Sequence, residues 1–264
     1  MPAAPDHVDA LRAALLRWYA GARRDLPWRR TTDPYAILVS EVMLQQTQVA
    51  RVVPRYLAWL RRWPTAAALA TASREDVLRA WVGLGYNRRA LALHAAAAAV
   101  ARDGWPADLR ELPGVGPYTA AAVASFAFGA DVAAVDTNAR RVAERVGLGT
   151  PQELLPAGRG ADWNQAIMEL GATICTARRA RCAECPVAAW CTSAGVAAPP
   201  RSRAAGGRER FEDTNRFVRG RVVAALAAGE ALPAEIAPER LERALGGLER
   251  DGIVRRTAGG FSLG

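Results

Sequence analysis

Four cysteines, Cys175, Cys182, Cys185 and Cys191, stand close together, separated by six, two and five residues, and the chain has no others. Four thiolates can surround one metal centre, and zinc and iron–sulfur groups both accept such a set. Zinc sites commonly pair two CxxC knuckles. Only Cys182 and Cys185 form one here, which tilts the spacing toward a 4Fe-4S cluster. Two carboxylates suit proton and charge chemistry. Glu41 has Ile37 four residues before it and Leu44 three after it. On a helix it faces apolar neighbours, and desolvation raises its pKa as a general acid requires; the alternative is a surface glutamate. Asp136 opens Asp-Thr-Asn-Ala-Arg-Arg, a place where aspartate caps a helix and accepts backbone N–H bonds that favour its charged form. Finally, Leu112-Pro-Gly-Val-Gly-Pro-Tyr-Thr119 sets Gly114 and Gly116 around Val115. The glycines allow a tight turn, and the next helix offers N–H groups to one phosphate; the same run also serves as a plain helix–helix turn.

The elements that must carry these groups are helices. From Asp6 to about Val196 apolar residues recur at three- and four-residue spacing between Pro- and Gly-marked loops, and strand signals are nearly missing. Leu11, Leu15, Leu16 and Trp18 form one stripe, and Asp33-Pro34 reads as the start of a helix carrying Ile37 to Val49. Further helices are predicted near 51–62, 74–82, 87–102, 117–128, 137–146 and 161–174. Residues 197–210, rich in Pro, Gly and charge, read as a linker. Beyond it, helices over 214–228 and 238–250, then two short strands around a Gly-Gly turn, predict a small winged-helix-like module over 211–264.

With 264 residues, 51% of them hydrophobic, the chain can bury a sizeable core, which excludes disordered and collagen-like classes. No apolar run approaches the roughly 18 residues of a membrane span, and no secretory signal opens the chain, so a cytoplasmic protein is expected. The formal charge of +9 points to a polyanion, nucleic acid first. All 35 basic residues are arginine. Without lysine no ε-amine is present to form a Schiff base.

Asn164-Gln-Ala-Ile-Met-Glu-Leu-Gly-Ala-Thr-Ile-Cys175 and the cysteine spacing resemble the cluster loop of the endonuclease III superfamily of DNA glycosylases. Ser40-Glu-Val-Met-Leu-Gln-Gln-Thr-Gln-Val49 resembles the MutY-type adenine glycosylases within it, and the likeness runs from about Trp18 to Cys191. This resemblance implies an all-α helix-hairpin-helix fold with two helical lobes. A six-helix barrel domain would span 28–136, and an iron–sulfur domain would join 1–27 to 137–196, with DNA in the cleft between them. It implies one 4Fe-4S cluster on the four cysteines, Glu41 as the acid that protonates a ring nitrogen of adenine, and Asp136 as the stabiliser of the sugar cation. Tyr118 then stands where strand-cutting members carry lysine, and Asn138 orients the catalytic groups. Gly114, Val115 and Gly116 hold a phosphate, Gln46 and Tyr86 fill the gap left by the flipped base, and Trp28, Arg29 and Gln165 line the adenine pocket. On residue type alone, Trp28 and Tyr118 equally suit a core, and Gln46, Arg29 and Gln165 a solvated surface.

The expected activity is monofunctional removal of adenine opposite 8-oxoguanine or guanine, with little lyase activity. The expected partner is double-stranded DNA carrying a mismatch or lesion, bound by a monomer associated with the nucleoid. Two alternatives remain: a thymine or uracil mismatch glycosylase, and a non-catalytic iron–sulfur DNA-binding protein. Two departures stand out. Asn87 follows Tyr86 where many such enzymes have a second aromatic residue, and the 54 residues from 211 are too few for the MutT-like domain that inspects the partner base.

Overall fold

The computed structural model describes residues 5–196 and 209–264. Helices dominate: α1 (Pro5–Ala22), α2 (Pro34–Leu44), α3 (Val49–Arg62), α4 (Ala66–Ala70), α5 (Arg74–Trp81), α6 (Arg88–Asp103), α7 (Pro117–Phe128), α8 (Thr137–Val146) and α9 (Gly160–Thr173). Local chemistry sets their starts. Asp33 Oδ1 accepts the Tyr35 N–H at 3.0 Å, so α2 begins where the Asp-Pro pair predicts. The same helix ends at Leu44, short of Val49, where the half-buried Arg89 guanidinium donates to the carbonyls of Val42 and Gln45. The short α4, absent from the sequence expectation, exists because Thr65 caps it, its side chain accepting from the Ala68 N–H.

The described chain falls into two compact units. One runs to Glu41 and adds Asp108–Arg110 and the stretch from Val115. Its core joins Leu11 and Leu15 of α1, Val142 and Val146 of α8, and Trp163, Ile167 and Leu170 of α9. Leu16 and Trp18 of the predicted stripe pack at its margin. Full burial of a side chain such as Leu15 contributes roughly 1.5–3 kcal/mol.

The other unit takes Val42–Ala107, Glu111–Gly114 and the C-terminal region. Trp59 anchors it, edge-on to Trp63 at 4.7 Å and to Trp81 at 5.5 Å between ring centroids. Its last part is α10 (Asn215–Ala228), α11 (Pro238–Arg250) and an antiparallel pair, β1 (Val254–Thr257) and β2 (Gly260–Leu263), with Val254 opposite Leu263. The two helices and the strand pair occur in the order the sequence predicts and close over Val218, Val222, Ala244, Leu248 and Ile253, all fully buried. It is fastened to α5: Arg74 donates to the Gly252 carbonyl at 2.6 Å, and Arg79 donates to that of Ala227. The predicted linker lies outside the described residues except for Glu209 and Arg210. Among the described residues no helix is long and apolar enough to cross a membrane.

Candidate functional site

Glu41 lies on α2 among Ile37, Leu38 and Val42 and is 6% exposed, so the apolar-facing reading of the sequence holds. Burial pushes its carboxyl up to about 7. The Tyr118 hydroxyl donates to Glu41 Oε2 at 2.8 Å and opposes that rise, the negative charge of Asp136 adds to it, and Arg29 moderates it. Tyr118, in the first turn of α7, is itself held well above the ordinary phenol value by burial and by Glu41, so it remains a donor. Its hydroxyl also lies 3.8 Å from Met168 Sδ.

Asp136 caps α8 as its sequence predicts: Oδ1 accepts the Ala139 N–H at 2.6 Å, and Oδ2 accepts Asn138 Nδ2 at 3.0 Å. Asn138 Oδ1 in turn accepts Arg141 Nη2 at 2.8 Å. The extended segment leading to Asp136 is clamped by the buried Asn164, whose Nδ2 donates to the Val132 carbonyl at 2.8 Å and whose Oδ1 accepts the Ala134 N–H at 3.0 Å. Glu41, Tyr118, Asp136 and Asn138 therefore share one unit and one electrostatic environment: a neutralisable acid, its phenolic donor, and a carboxylate fixed by N–H groups.

The pocket candidates are organised by a residue the sequence reading missed. Glu169 on α9 has no exposed side-chain surface and binds two arginines: Arg24 at 2.6 Å and Arg29 at 2.7 Å. Burial pushes its carboxyl up, but the two guanidiniums outweigh that and hold it below the ordinary glutamate value. Arg29 also donates to the Arg24 carbonyl at 3.0 Å and lies 5.6 Å from the Tyr19 ring centroid. The Tyr19 hydroxyl donates to Gln165 Oε1 at 2.5 Å. Trp28, in the Pro27–Arg29 turn, is buried. The only sequence signal for Glu169 was its place in the 164–175 motif, four residues after Gln165 on one helical face.

In the other unit, Gln46 and Tyr86 are the only non-glycine residues with positive φ among those described, at +55° and +49°. Side chains rarely adopt that conformation, and it concentrates at functional sites. Both residues are exposed and line one cavity of about 1020 Å³. One residue secures both neighbouring turns: Arg89 donates to the carbonyls of Val42 (2.7 Å) and Gln45 (2.6 Å) at the end of α2, and to those of Leu84 (3.1 Å) and Gly85 (3.0 Å) before Tyr86. Burial lowers its guanidinium to about 10. In the hairpin, Gly114 has φ +75°, and a Cβ there would stand 2.6 Å from that of Ala92, so the turn demands glycine. Val115 is buried and Gly116 precedes the first residue of α7.

The four cysteines, each half-buried, line one cavity of about 540 Å³ with Arg145, Arg178, Arg179 and Arg181. Arg145 Nη1 is 3.2 Å from Cys175 Sγ, and Cys191 Sγ approaches the Arg145 carbonyl at 3.3 Å. Burial raises the Cys185 thiol, a backbone hydrogen bond at Val187 opposes the rise, and Cys175, Cys191 and Cys182 add to it. Among the described residues no three His, Cys, Asp or Glu side chains are gathered closely enough to hold a single metal ion.

Residues 39–155 match the family described as HhH-GPD superfamily base excision DNA repair protein. An adenine DNA glycosylase of Mycobacterium tuberculosis (strain ATCC 25618 / H37Rv) is 45% identical over 98% of this chain and 94% of its own length. The chain belongs to the adenine DNA glycosylases of the HhH-GPD superfamily. The human adenine DNA glycosylase is 44% identical over 70% of this chain and 39% of its own length. Among solved structures, a thermostable thymine-DNA glycosylase superposes with a TM-score of 0.66 and 29% identity over 71% of this chain and 96% of that one. An endonuclease III–DNA covalent intermediate shares the fold, with a TM-score of 0.62 and 22% identity over 73% of this chain and 97% of that one. The family's mostly helical helix-hairpin-helix fold is thus established for this chain. Because the mycobacterial relative is matched over nearly all of it, the C-terminal module falls within the matched region.

Proposed function

We propose that this protein is a monofunctional adenine DNA glycosylase that removes adenine mispaired with guanine or 8-oxoguanine in double-stranded DNA. The observation that carries this reading is the buried Glu41 carboxyl, raised to about 7 and touched by the Tyr118 hydroxyl. A carboxylic acid so tuned retains its proton near neutrality and donates it to a ring nitrogen of the extruded adenine. The glycosidic electron pair leaves with the base, Asp136 stabilises the cationic sugar, and water completes the hydrolysis. Asn138 holds Asp136, while Glu169 fixes Arg29 beside Trp28. Gln165, tied to Tyr19, completes the adenine contacts. Gln46 and Tyr86 fill the space the base leaves, which offsets part of the flipping cost of a few kcal/mol. The hairpin at Gly114, Val115 and Gly116 holds a backbone phosphate. Tyr118 stands where strand-cutting relatives carry an amine, and with no lysine in the sequence the chain forms no lysine Schiff base.

The four cysteines suit a 4Fe-4S cluster: sulfur donors line one cavity, and the arginines beside them balance the negative charge of four thiolates. When bound, such a cluster supplies iron–thiolate bonds that cross-link the loop. A second reading, removal of thymine opposite guanine, is favoured by the likeness to a thymine-DNA glycosylase. Both readings place the protein on DNA in the nucleoid, as a monomer. The deciding experiment is single-turnover base release from duplexes bearing adenine opposite 8-oxoguanine, guanine or cytosine, and thymine or uracil opposite guanine. Strand breaks are read before and after alkali. Adenine release with breaks only after alkali supports the first reading, pyrimidine release replaces it with the second, and no release from any duplex refutes both.

A further inference from the structure

The cavity at Gln46 and Tyr86 takes its other wall from the C-terminal module. Six arginines line it, Arg51, Arg88, Arg89, Arg216, Arg219 and Arg221, against one acid, Asp251. That acid is engaged, 2.5 Å from Arg219 and 3.9 Å from Arg88. The cavity is therefore built to bind a polyanion and not to supply a proton. Arg216, in the first turn of α10, lies between two aromatic rings, its guanidinium carbon 5.3 Å from the Tyr86 centroid and 5.0 Å from that of Phe211. Its Nη1 donates to the Tyr86 hydroxyl at 2.8 Å. Both rings stand open to solvent, Tyr86 42% and Phe211 49% exposed. Exposed rings flanking a planar cation form a platform on which a nucleobase stacks. The guanidinium fork also matches the O6 and N7 edge of guanine, and pyrimidines lack that edge.

We propose that Phe211 and Arg216 receive the base left unpaired when adenine is flipped, and that Arg216 selects guanine there. The assignment rests on the adenine glycosylase reading, because Gln46 and Tyr86 fill the vacated space and the orphaned base then lies against the same cavity. The C-terminal module thereby becomes the part of the chain that inspects the partner base.

The test needs no base release. The full chain is titrated by fluorescence anisotropy against duplexes carrying a tetrahydrofuran abasic analogue in place of adenine, opposite guanine or cytosine. Wild type is expected to prefer guanine by about tenfold or more, the size of one bidentate contact. Arg216→Ala should reduce the preference to about twofold, and Arg216→Lys, which keeps the charge without the fork, should lose most of it. Arg255→Ala, which removes the same charge from β1, should retain it. Equal weakening of both duplexes by Arg216→Ala overturns the proposal, as do an equal effect of Arg255→Ala and a wild type without preference. Circular dichroism of the conservative Lys variant excludes misfolding. A wild type that prefers guanine but releases no adenine would sink the activity and leave the partner-base site standing; adenine release without the preference would do the reverse.

Discussion

Arg89 donates to the carbonyl of Gln45 at 2.6 Å, and the same guanidinium donates to that of Gly85 at 3.0 Å, so one side chain secures the residue before Gln46 and the residue before Tyr86. Each left-handed non-glycine residue costs on the order of 1–3 kcal/mol and persists only where its surroundings enforce it. Arg89→Lys keeps a charge but cannot span acceptors on both turns. The expected result is a loss of about 1–3 kcal/mol in urea unfolding, from carbonyls left unmatched, with DNA binding at least about tenfold weaker. An unchanged midpoint with unchanged affinity would refute this role.

In the proposed mechanism the acid form of Glu41 is the working form, so single-turnover base release should fall as pH rises through about 7. Glu41→Gln should lower the rate by about 10²–10⁴-fold. Because the folded Glu41 value lies above the unfolded one, the folded state binds more protons between the ordinary glutamate range and about 7, and stability falls as pH rises across that window. The displacement corresponds to about 3 kcal/mol. Glu41→Gln should therefore melt higher than wild type at pH 8 and gain little at pH 4. A variant that loses activity without that pH-dependent stabilisation would contradict the burial argument.

Glu169 behaves in the opposite sense. Its carboxyl is held low, so its contribution is present above the ordinary glutamate range and is lost as pH falls through its folded value. Glu169→Ala leaves Arg24 and Arg29 without a counter-charge. The cost should be about 2–3 kcal/mol, less than for a fully buried pair because Arg24 is 43% exposed. Thermal melts at pH 7 and pH 3.5 should show the difference between wild type and variant shrinking at the lower pH.

The cysteine loop is tested by elemental analysis of chain purified without oxygen. About four irons per chain are expected. Cys185→Ser should lose most of the iron and lower the melting temperature. One zinc per chain would replace the iron–sulfur assignment.

What the sequence disclosed was local. Asp33 and Asp136 were legible as caps because capping involves residues a few positions apart, and the helix–helix–hairpin tail was legible from turn residues and periodicity. Glu41 was legible because its neighbours at i−4 and i+3 are apolar. Glu169 was not, since its meaning depends on Arg24 and Arg29, about 140 residues earlier in the chain. The positive φ of Gln46 was hidden for the same reason: Arg89, which holds the preceding Gln45 carbonyl, lies 44 residues further along the chain. Arg216 looked like one arginine among 35 until Tyr86, 130 residues away, gave it a partner.

Arg141 connects two chemistries that the sequence keeps apart. Its Nε donates to the Cys175 carbonyl at 3.0 Å while its Nη2 reaches Asn138, which holds Asp136. Opening of the cysteine loop would release Arg141 from the Cys175 carbonyl and loosen one restraint on Asn138, so disorder in the loop would reach the Asp136 carboxylate through a single side chain.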